Sequence, residues 1–299
     1  MKQITRRAYA KINLGLDVLG RRANGYHDVR MVMQTVGIYD ELSMSIRDDA
    51  GIRITATMSD GQTEKLPCDE HNLIYRAAAL VMKEYHLEKG VEINLKKTIP
   101  IAAGMAGGST DAAATILLMN SLYGLGMSMD RMCSLGILIG ADVPYCIKGG
   151  TVLAEGIGEI LTPLPPAPQC KLLVVKPAVS VSTAHVYTEL DNKKGLVHPD
   201  LAGLIECIRM QDVAGMAQRL GNVLELVTAA EYSAIAQLKE KMLSSGALGA
   251  LMSGSGPTVF GIYENEEQLQ AAYEEIRAME CVSQIFMTNF VADIEAENA

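Results

Sequence analysis

No stretch of this chain approaches the ~18 consecutive apolar residues that a membrane-spanning helix needs, so no membrane association is expected. Positive charge is also short, with 26 Lys and Arg against 35 Asp and Glu and a net charge of −9. That balance argues against a general binder of nucleic acid or anionic membrane, and confines any phosphate site to a local feature. Paired cysteine motifs are missing. The six cysteines (Cys68, Cys133, Cys146, Cys170, Cys207, Cys281) are scattered, with no CxxC pair and no His/Cys cluster. Neither a zinc site nor a disulfide framework is expected, and free thiols in a reducing cytoplasm fit best. Repeats and low-complexity tracts are lacking too. The segment "MKQITRRAYAKINLGLDVLG" is basic and then apolar, superficially like a signal peptide, but Lys11, Asn13 and Asp17 interrupt it. What is present is 49% hydrophobic and 20% charged residues over 299 positions, enough for a sizeable core in one large domain or two ordinary ones.

The first half opens with strands. "AYAKINLGLDV" alternates, placing Ala10, Ile12, Leu14 and Leu16 on one face and Tyr9, Lys11 and Asn13 on the other. "VRMVMQTVGI", "LSMSIR" and "IRITAT" read as further strands. "NLIYRAAALVMKEYHL" reads as an amphipathic helix that Asn72 caps, and "VEINLKK" as a strand. Helices are expected from about Ser109 to Tyr123 and from Met129 to Ile139, the latter capped by Ser128. "LTPLPPAPQC" holds four of the ten prolines and marks a domain boundary, dividing the chain into 1–163 and 164–299. Beyond it the order is strand ("CKLLVVKP"), helices, two strands flanking "SGSGP", a charged helix, and a strand ("SQIFMTNFVA"). That is the order of a split βαβ, ferredoxin-like unit.

Between the strand "VEINLKK" and the alanine-rich helix lies "IPIAAGMAGGSTDAAATI". No Gly-Lys-Ser/Thr follows the glycines, so it is not a P-loop, and the spacing is not that of a Rossmann fingerprint. Glycines let backbone N–H groups approach an anion, and the following helix points its positive end at the same place. Ser109 and Thr110 add hydroxyls, either of which could also meet a metal ion. Asp111 falls in the first turn, where its charge suits the helix dipole but would repel a phosphate, so it is expected to point away. The residues alone leave two readings, a phosphate cradle and a tight strand-to-helix turn.

Lys11 and Asn13 lie roughly 7 Å apart on one strand face. By themselves they fit a solvent-facing edge strand as well as a site. In "LIGADVPYC", Asp142 stands between a helix and a proline, a common place for a cap or turn-former. "LMSGSGPTVFGIY" reads as a hairpin turn between apolar strands, and "NGYHDV" as a turn followed by two large side chains.

Taken together, "AYAKINLGLDVLGRRANGYHDV", "PIAAGMAGGST", "GADVPYC" and "SGSGPTVFGIY" resemble, in order and over about residues 6–290, the motifs of the GHMP kinases. The resemblance implies an α+β, two-domain GHMP kinase fold. Its N-terminal domain has a left-handed βαβ crossover, its C-terminal domain is ferredoxin-like, and the active site lies in the cleft between them. It further implies transfer of the γ-phosphoryl of ATP, accompanied by Mg²⁺, to a small-molecule alcohol. Asp142 would take the hydroxyl proton and Lys11 would stabilise charge on the hydroxyl oxygen and γ-phosphate. Pro100, Ile101, Ala102, Ala103, Gly104, Met105, Ala106, Gly107, Gly108, Ser109 and Thr110 would wrap the phosphates, chiefly through backbone N–H groups, with Asn72 and Lys97 at the adenine. No Glu stands out as a metal ligand.

Within the family, "NGYHDV" and Tyr187 point to a substrate carrying a cytidine diphosphate group on a methylerythritol unit, used in non-mevalonate isoprenoid synthesis. Tyr26 and Tyr187 would sandwich the cytosine, His27 would hydrogen-bond its edge, and Asn13 and Thr183 would line the rest of the groove. The alternative is a GHMP kinase of the homoserine or mevalonate type. A cytoplasmic monomer or homodimer is expected, with no nucleic-acid partner.

Overall fold

The computed structural model describes residues 3–59 and 66–298. Two long strands, β1 (Gln3–Arg21) and β2 (His27–Ile46), form an antiparallel hairpin whose turn holds Asn24, Gly25 and Tyr26. The segments "VRMVMQTVGI" and "LSMSIR" are one continuous strand. Tyr39, Asp40 and Glu41 pair with β1 across what reads as a polar interruption. Next come β3 (Ile52–Met58), α1 (Leu73–Glu84) and β4 (Val91–Lys97). Asn72 caps α1 as expected, accepting from the Ile74 N–H, and the helix buries Ile74, Ala77, Ala78 and Val81. The helices α2 (Gly107–Tyr123), α3 (Met129–Gly136) and α4 (Val143–Lys148) and the strands β5 (Thr151–Gly156) and β6 (Ile160–Pro163) follow. Helix α2 starts two residues earlier than the sequence suggests, and Ser128 caps α3 through the Arg131 N–H. Because α2 is buried almost all round from Thr110 to Met119, its alanines allow close approach of the surrounding layers.

The second half contributes β7 (Lys171–Pro177), α5 (Thr183–Asp191), α6 (Leu201–Arg209), α7 (Val213–Gln218), β8 (Gly221–Asn222), α8 (Glu225–Glu231) and α9 (Ser233–Ser244). The chain then runs through β9 (Gly249–Met252), β10 (Val259–Tyr263), α10 (Glu266–Ile276) and β11 (Val282–Asn289). The first sheet has the order β3-β4-β2-β1-β8, with β5 on β2 and β6 on β5. The neighbours β3 and β4 are parallel, joined through α1. The second sheet, β11-β7-β10-β9, is antiparallel throughout, the ferredoxin-like order expected. Among the described residues no helix is long and apolar enough to cross a membrane.

One expectation fails in β1. Ala10, Ile12 and Leu14 share a core with Val32, Val174, Leu204 and Phe260, but Leu16 and Val18 belong to another core with Met33 and Leu42. Pairing with β2 shifts between Tyr9 and Lys11 and again between Asn13 and Gly15. An extra residue at a β-bulge reverses which face the following side chains take. The bulges therefore bracket Lys11–Asn13 and re-aim that short segment alone. On its other side β1 pairs only with the two-residue β8, at Gly15 and Leu16, so Lys11–Asn13 lies at a sheet edge that the loops cover, leaving Lys11 5% and Asn13 0% exposed.

Candidate active site

The segment between the bulges faces a cleft of about 440 Å³ between the two halves. Lys11 Nζ donates to Asn13 Oδ1 at 2.8 Å, and Asn13 Nδ2 reaches Met31 Sδ. Asp142 lines the same cleft from the turn before α4. It occupies the cap position but makes no capping bond, and among the described residues its carboxylate makes no hydrogen bond or ion pair. It is a free acceptor lining the same cleft as Lys11.

The glycine loop forms the adjoining wall. Ala102, Ala103, Gly104, Ala106, Gly107, Gly108 and Ser109 border the cleft, and α2 begins there with no side-chain cap and no acid in its first turn. Its first N–H groups are therefore available to an anion. Ala102 and Ala106 hold left-handed backbone, φ 50° and 57°, a conformation costing a non-glycine residue about 1–2 kcal/mol. The loop is pinned to β1 at Lys11 and just before it: the Lys11 N–H donates to the Met105 carbonyl, and the Thr110 hydroxyl to the Tyr9 carbonyl at 2.8 Å. Thr110 and Met105 thus turn inward, and of the two hydroxyls only that of Ser109 faces the cleft.

Asp111 lies beyond the first turn, not within it, and does point away from the loop's open side. Its Oδ2 pairs with Lys97 Nζ at 2.7 Å, and Lys97 also meets Asp40 Oδ2 at 2.5 Å, all three side chains buried. Burial opposes the Lys97 charge, but the two carboxylates outweigh it and its pKa is raised. Burial, with Asp40 as a second negative charge, pushes Asp111 well above the usual carboxylate range. The Lys97 ammonium is consequently committed to this triad. Lys97 still borders a second cavity of about 240 Å³ with Asn72, Pro100 and Ile101. Asn72 is itself engaged at both ends, by the Ile74 N–H and the Pro67 carbonyl.

Tyr187 also lines the cleft, and burial raises its phenol to about 12, so it stays neutral at ordinary pH. Its neighbour is His27, with ring centroids 4.9 Å apart. Tyr26 points outward, 58% exposed in the hairpin turn, and makes no ring contact with Tyr187. Thr183 lines the cleft at the start of α5, sharing a 2.8 Å hydrogen bond with Ser255.

Sequence reasoning missed Gly254, Ser255 and Gly256. The turn "SGSGP" does join β9 and β10, but it also lines the cleft. Asn222 holds it there, donating to the Met252 and Gly254 carbonyls at 2.8 Å each. Among the described residues no cluster of three His, Cys, Asp or Glu side chains could hold a metal ion.

Comparison with known proteins agrees with this fold. The GHMP kinases N terminal domain matches residues 72–150 and the GHMP kinases C terminal domain matches residues 195–280. The chain belongs to the GHMP kinases, ATP-dependent kinases of small molecules. Several relatives of one name match nearly the whole chain. The 4-diphosphocytidyl-2-C-methyl-D-erythritol kinase of Lachnospira eligens is 51% identical over 96% of this chain and 98% of its own, and that of Lachnoclostridium phytofermentans 47% identical over 97% and 98%. A crystal structure of 4-(cytidine 5'-diphospho)-2C-methyl-D-erythritol kinase superimposes with a TM-score of 0.81 at 30% identity, covering 96% of this chain and 99% of that one. Homoserine kinase from Cytophaga hutchinsonii shares the fold, with a TM-score of 0.77 at 22% identity over 98% and 96%.

Proposed function

We propose that the chain transfers the γ-phosphoryl of ATP to the C2 hydroxyl of 4-diphosphocytidyl-2-C-methyl-D-erythritol, as its relatives' name implies. The observation that carries the reading is one cleft lined by a free carboxylate, a lysine, a glycine loop and Tyr187. The loop N–H groups hold the phosphates, and the adenine lies toward Asn72 and Lys97. The substrate's cytosine lies against Tyr187 and His27, with Tyr26 closing over it and Asn13 and Thr183 along the groove. This orientation brings the hydroxyl between Lys11 and Asp142.

Asp142 accepts the hydroxyl proton as the new O–P bond forms and ADP leaves. Lys11 offsets charge on the hydroxyl oxygen and the transferring phosphoryl group, where positioning and charge stabilisation supply most of the acceleration. The Ser109 hydroxyl would be the loop's contact for a Mg²⁺ carried by ATP, which when bound would neutralise phosphate charge. The domain division falls in the proline-rich connection between β6 and β7, after residue 163. Six free cysteines support a cytoplasmic location for a monomer or homodimer.

The rival is a homoserine- or mevalonate-type activity on the same fold. Incubation with ATP, Mg²⁺ and each of the three alcohols decides between them. ADP release with the cytidyl substrate alone supports the proposal, and equal or faster release with homoserine or mevalonate refutes it.

A further inference from the structure

Asp191 has no part in that chemistry, yet it meets His27. Its Oδ1 lies 2.8 Å from His27 Nε2, and Arg21 approaches its Oδ2 at 3.4 Å. His27 opens β2, Arg21 closes β1, and Tyr187 and Asp191 stand four residues apart on one face of α5. Tyr187 packs on the imidazole while Asp191 holds its edge, and the histidine side chain is 9% exposed. A carboxylate can only accept, so Nε2 carries the proton and donates it. In a neutral imidazole that leaves Nδ1 as an acceptor.

We propose that Asp191 is a positioning residue that makes His27 select cytosine over uracil. The inference rests on the reading above, in which His27 meets the edge of the base. At the 4-position cytosine presents an amine and uracil a carbonyl oxygen. An acceptor fixed at Nδ1 takes a hydrogen bond from the amine and repels the carbonyl. Without Asp191 the ring can flip or change tautomer, and then offers a donor to either base. Discrimination thus comes from a misfit built against the wrong base as much as from a bond to the right one.

The test compares the parent with Asp191→Ala, Asp191→Asn and His27→Phe. It measures kcat and KM for the cytidyl substrate and its uridyl counterpart, KM for ATP, and the ¹⁵N shifts of the His27 ring in the free protein. The parent should show the Nε2–H tautomer. Asp191→Ala should raise the cytidyl KM about 3- to 10-fold, the value of one hydrogen bond, and lower the cytidyl-over-uridyl preference by a similar factor. Its kcat and ATP KM should match the parent's. Asp191→Asn, whose Oδ1 still accepts the Nε2–H, should keep most of the preference, and His27→Phe should lose it. A parent with the Nδ1–H tautomer, an unchanged preference in Asp191→Ala, an Asn variant no better than Ala, or a general fall in kcat and ATP binding overturns the inference. If the parent uses the cytidyl substrate while Asp191→Ala retains the preference, the inference alone fails. A parent that does not use that substrate sinks the proposed function as well.

Discussion

The hydroxyl of Ser253 donates to the carbonyl oxygen of Gly104 across 2.9 Å, joining two glycine turns 149 positions apart in the chain. The same hydroxyl accepts the Asn13 N–H at 3.3 Å. Three segments therefore meet at one serine: the bulged part of β1, the loop that opens α2, and the turn between β9 and β10. The first two come from the first half of the chain and the third from the second. The two turns lie so close that a Cβ on Gly104 would be 2.3 Å from the Ser253 carbonyl oxygen.

That contact makes Gly104 the sharpest test of the loop. Gly104 has φ +74°, so alanine there meets both left-handed strain of about 1–2 kcal/mol and a collision with backbone that no rotamer relieves. Gly104→Ala should lower ATP affinity by about 5- to 30-fold, the equivalent of that strain where binding must restore the loop. Ala106→Gly, at a position already left-handed, should bind ATP as well as the parent. Calorimetry on the folded proteins reads both, and equal affinity for Gly104→Ala would show that the turns need not touch.

The Lys97 triad should behave as structure. Lys97→Met leaves Asp40 and Asp111 buried without their cation, and breaking a buried pair in this way costs about 3–5 kcal/mol. Adding Asp111→Asn to Lys97→Met should recover part of that loss in urea unfolding. In the parent, Asp111 keeps its proton to a higher pH when folded than when unfolded. The folded state thus binds more protons between the two values, and this contribution is present at low pH and is lost as pH rises. Stability of the parent relative to Asp111→Asn should therefore fall from about pH 4 toward neutrality, the ordinary value marking its onset. A flat difference would show that folding leaves the Asp111 pKa unshifted, and a rise with pH that the folded state holds it ionised.

Local features were legible in the sequence, and long-range pairings were not. The Asn72 and Ser128 caps, the split βαβ order and the alanine helix follow from propensity and spacing. The bulges around Lys11–Asn13 carry no residue signature, and the alternation reads straight through them, which is why Leu16 is assigned to the wrong face. The resemblance places Lys97 at the adenine, and its burial between Asp40 and Asp111 carries no local signal because they stand 57 and 14 positions away. "SGSGP" reads as a plain hairpin for the same reason, since Gly104, the residue that gives it a second role, lies in the other half. Asp191 belongs to no motif, and only its four-residue spacing from Tyr187 could have drawn notice.

At the proposed reaction centre, Asp142→Asn preserves size and removes the proton acceptor. Turnover should fall about 10²–10⁴-fold, the usual effect of losing a general base, with ATP affinity intact. Lys11→Met should also be slow, and the double variant should be far from additive because both act on one step. Steady-state kinetics with the cytidyl substrate measures all three. Turnover of Asp142→Asn within a factor of about three of the parent would be far below the general-base effect and would remove Asp142 from that role.

Tyr187 offers the test that separates binding from packing. Its ring lines the cleft and touches His27, but it also packs partly against the core around Val186 and Leu190, so two outcomes compete. If cytosine stacks on it, Tyr187→Ala should weaken the cytidyl substrate by about 1–3 kcal/mol, about 5- to 150-fold, while ATP affinity is unchanged. The reason is distance: the base end is remote from the phosphate loop, so loss of a stacking face removes binding energy from one substrate only. Tyr187→Phe should be nearly silent, because the ring persists and the phenol, whose pKa is raised to about 12, carries no charge at working pH. If the ring serves only to fill the core, alanine should instead lower the melting temperature and weaken both substrates together, by the cavity cost of about 3–5 kcal/mol typical of a large aromatic. A folded Tyr187→Ala enzyme with parental affinity for both substrates would take Tyr187 out of the binding site.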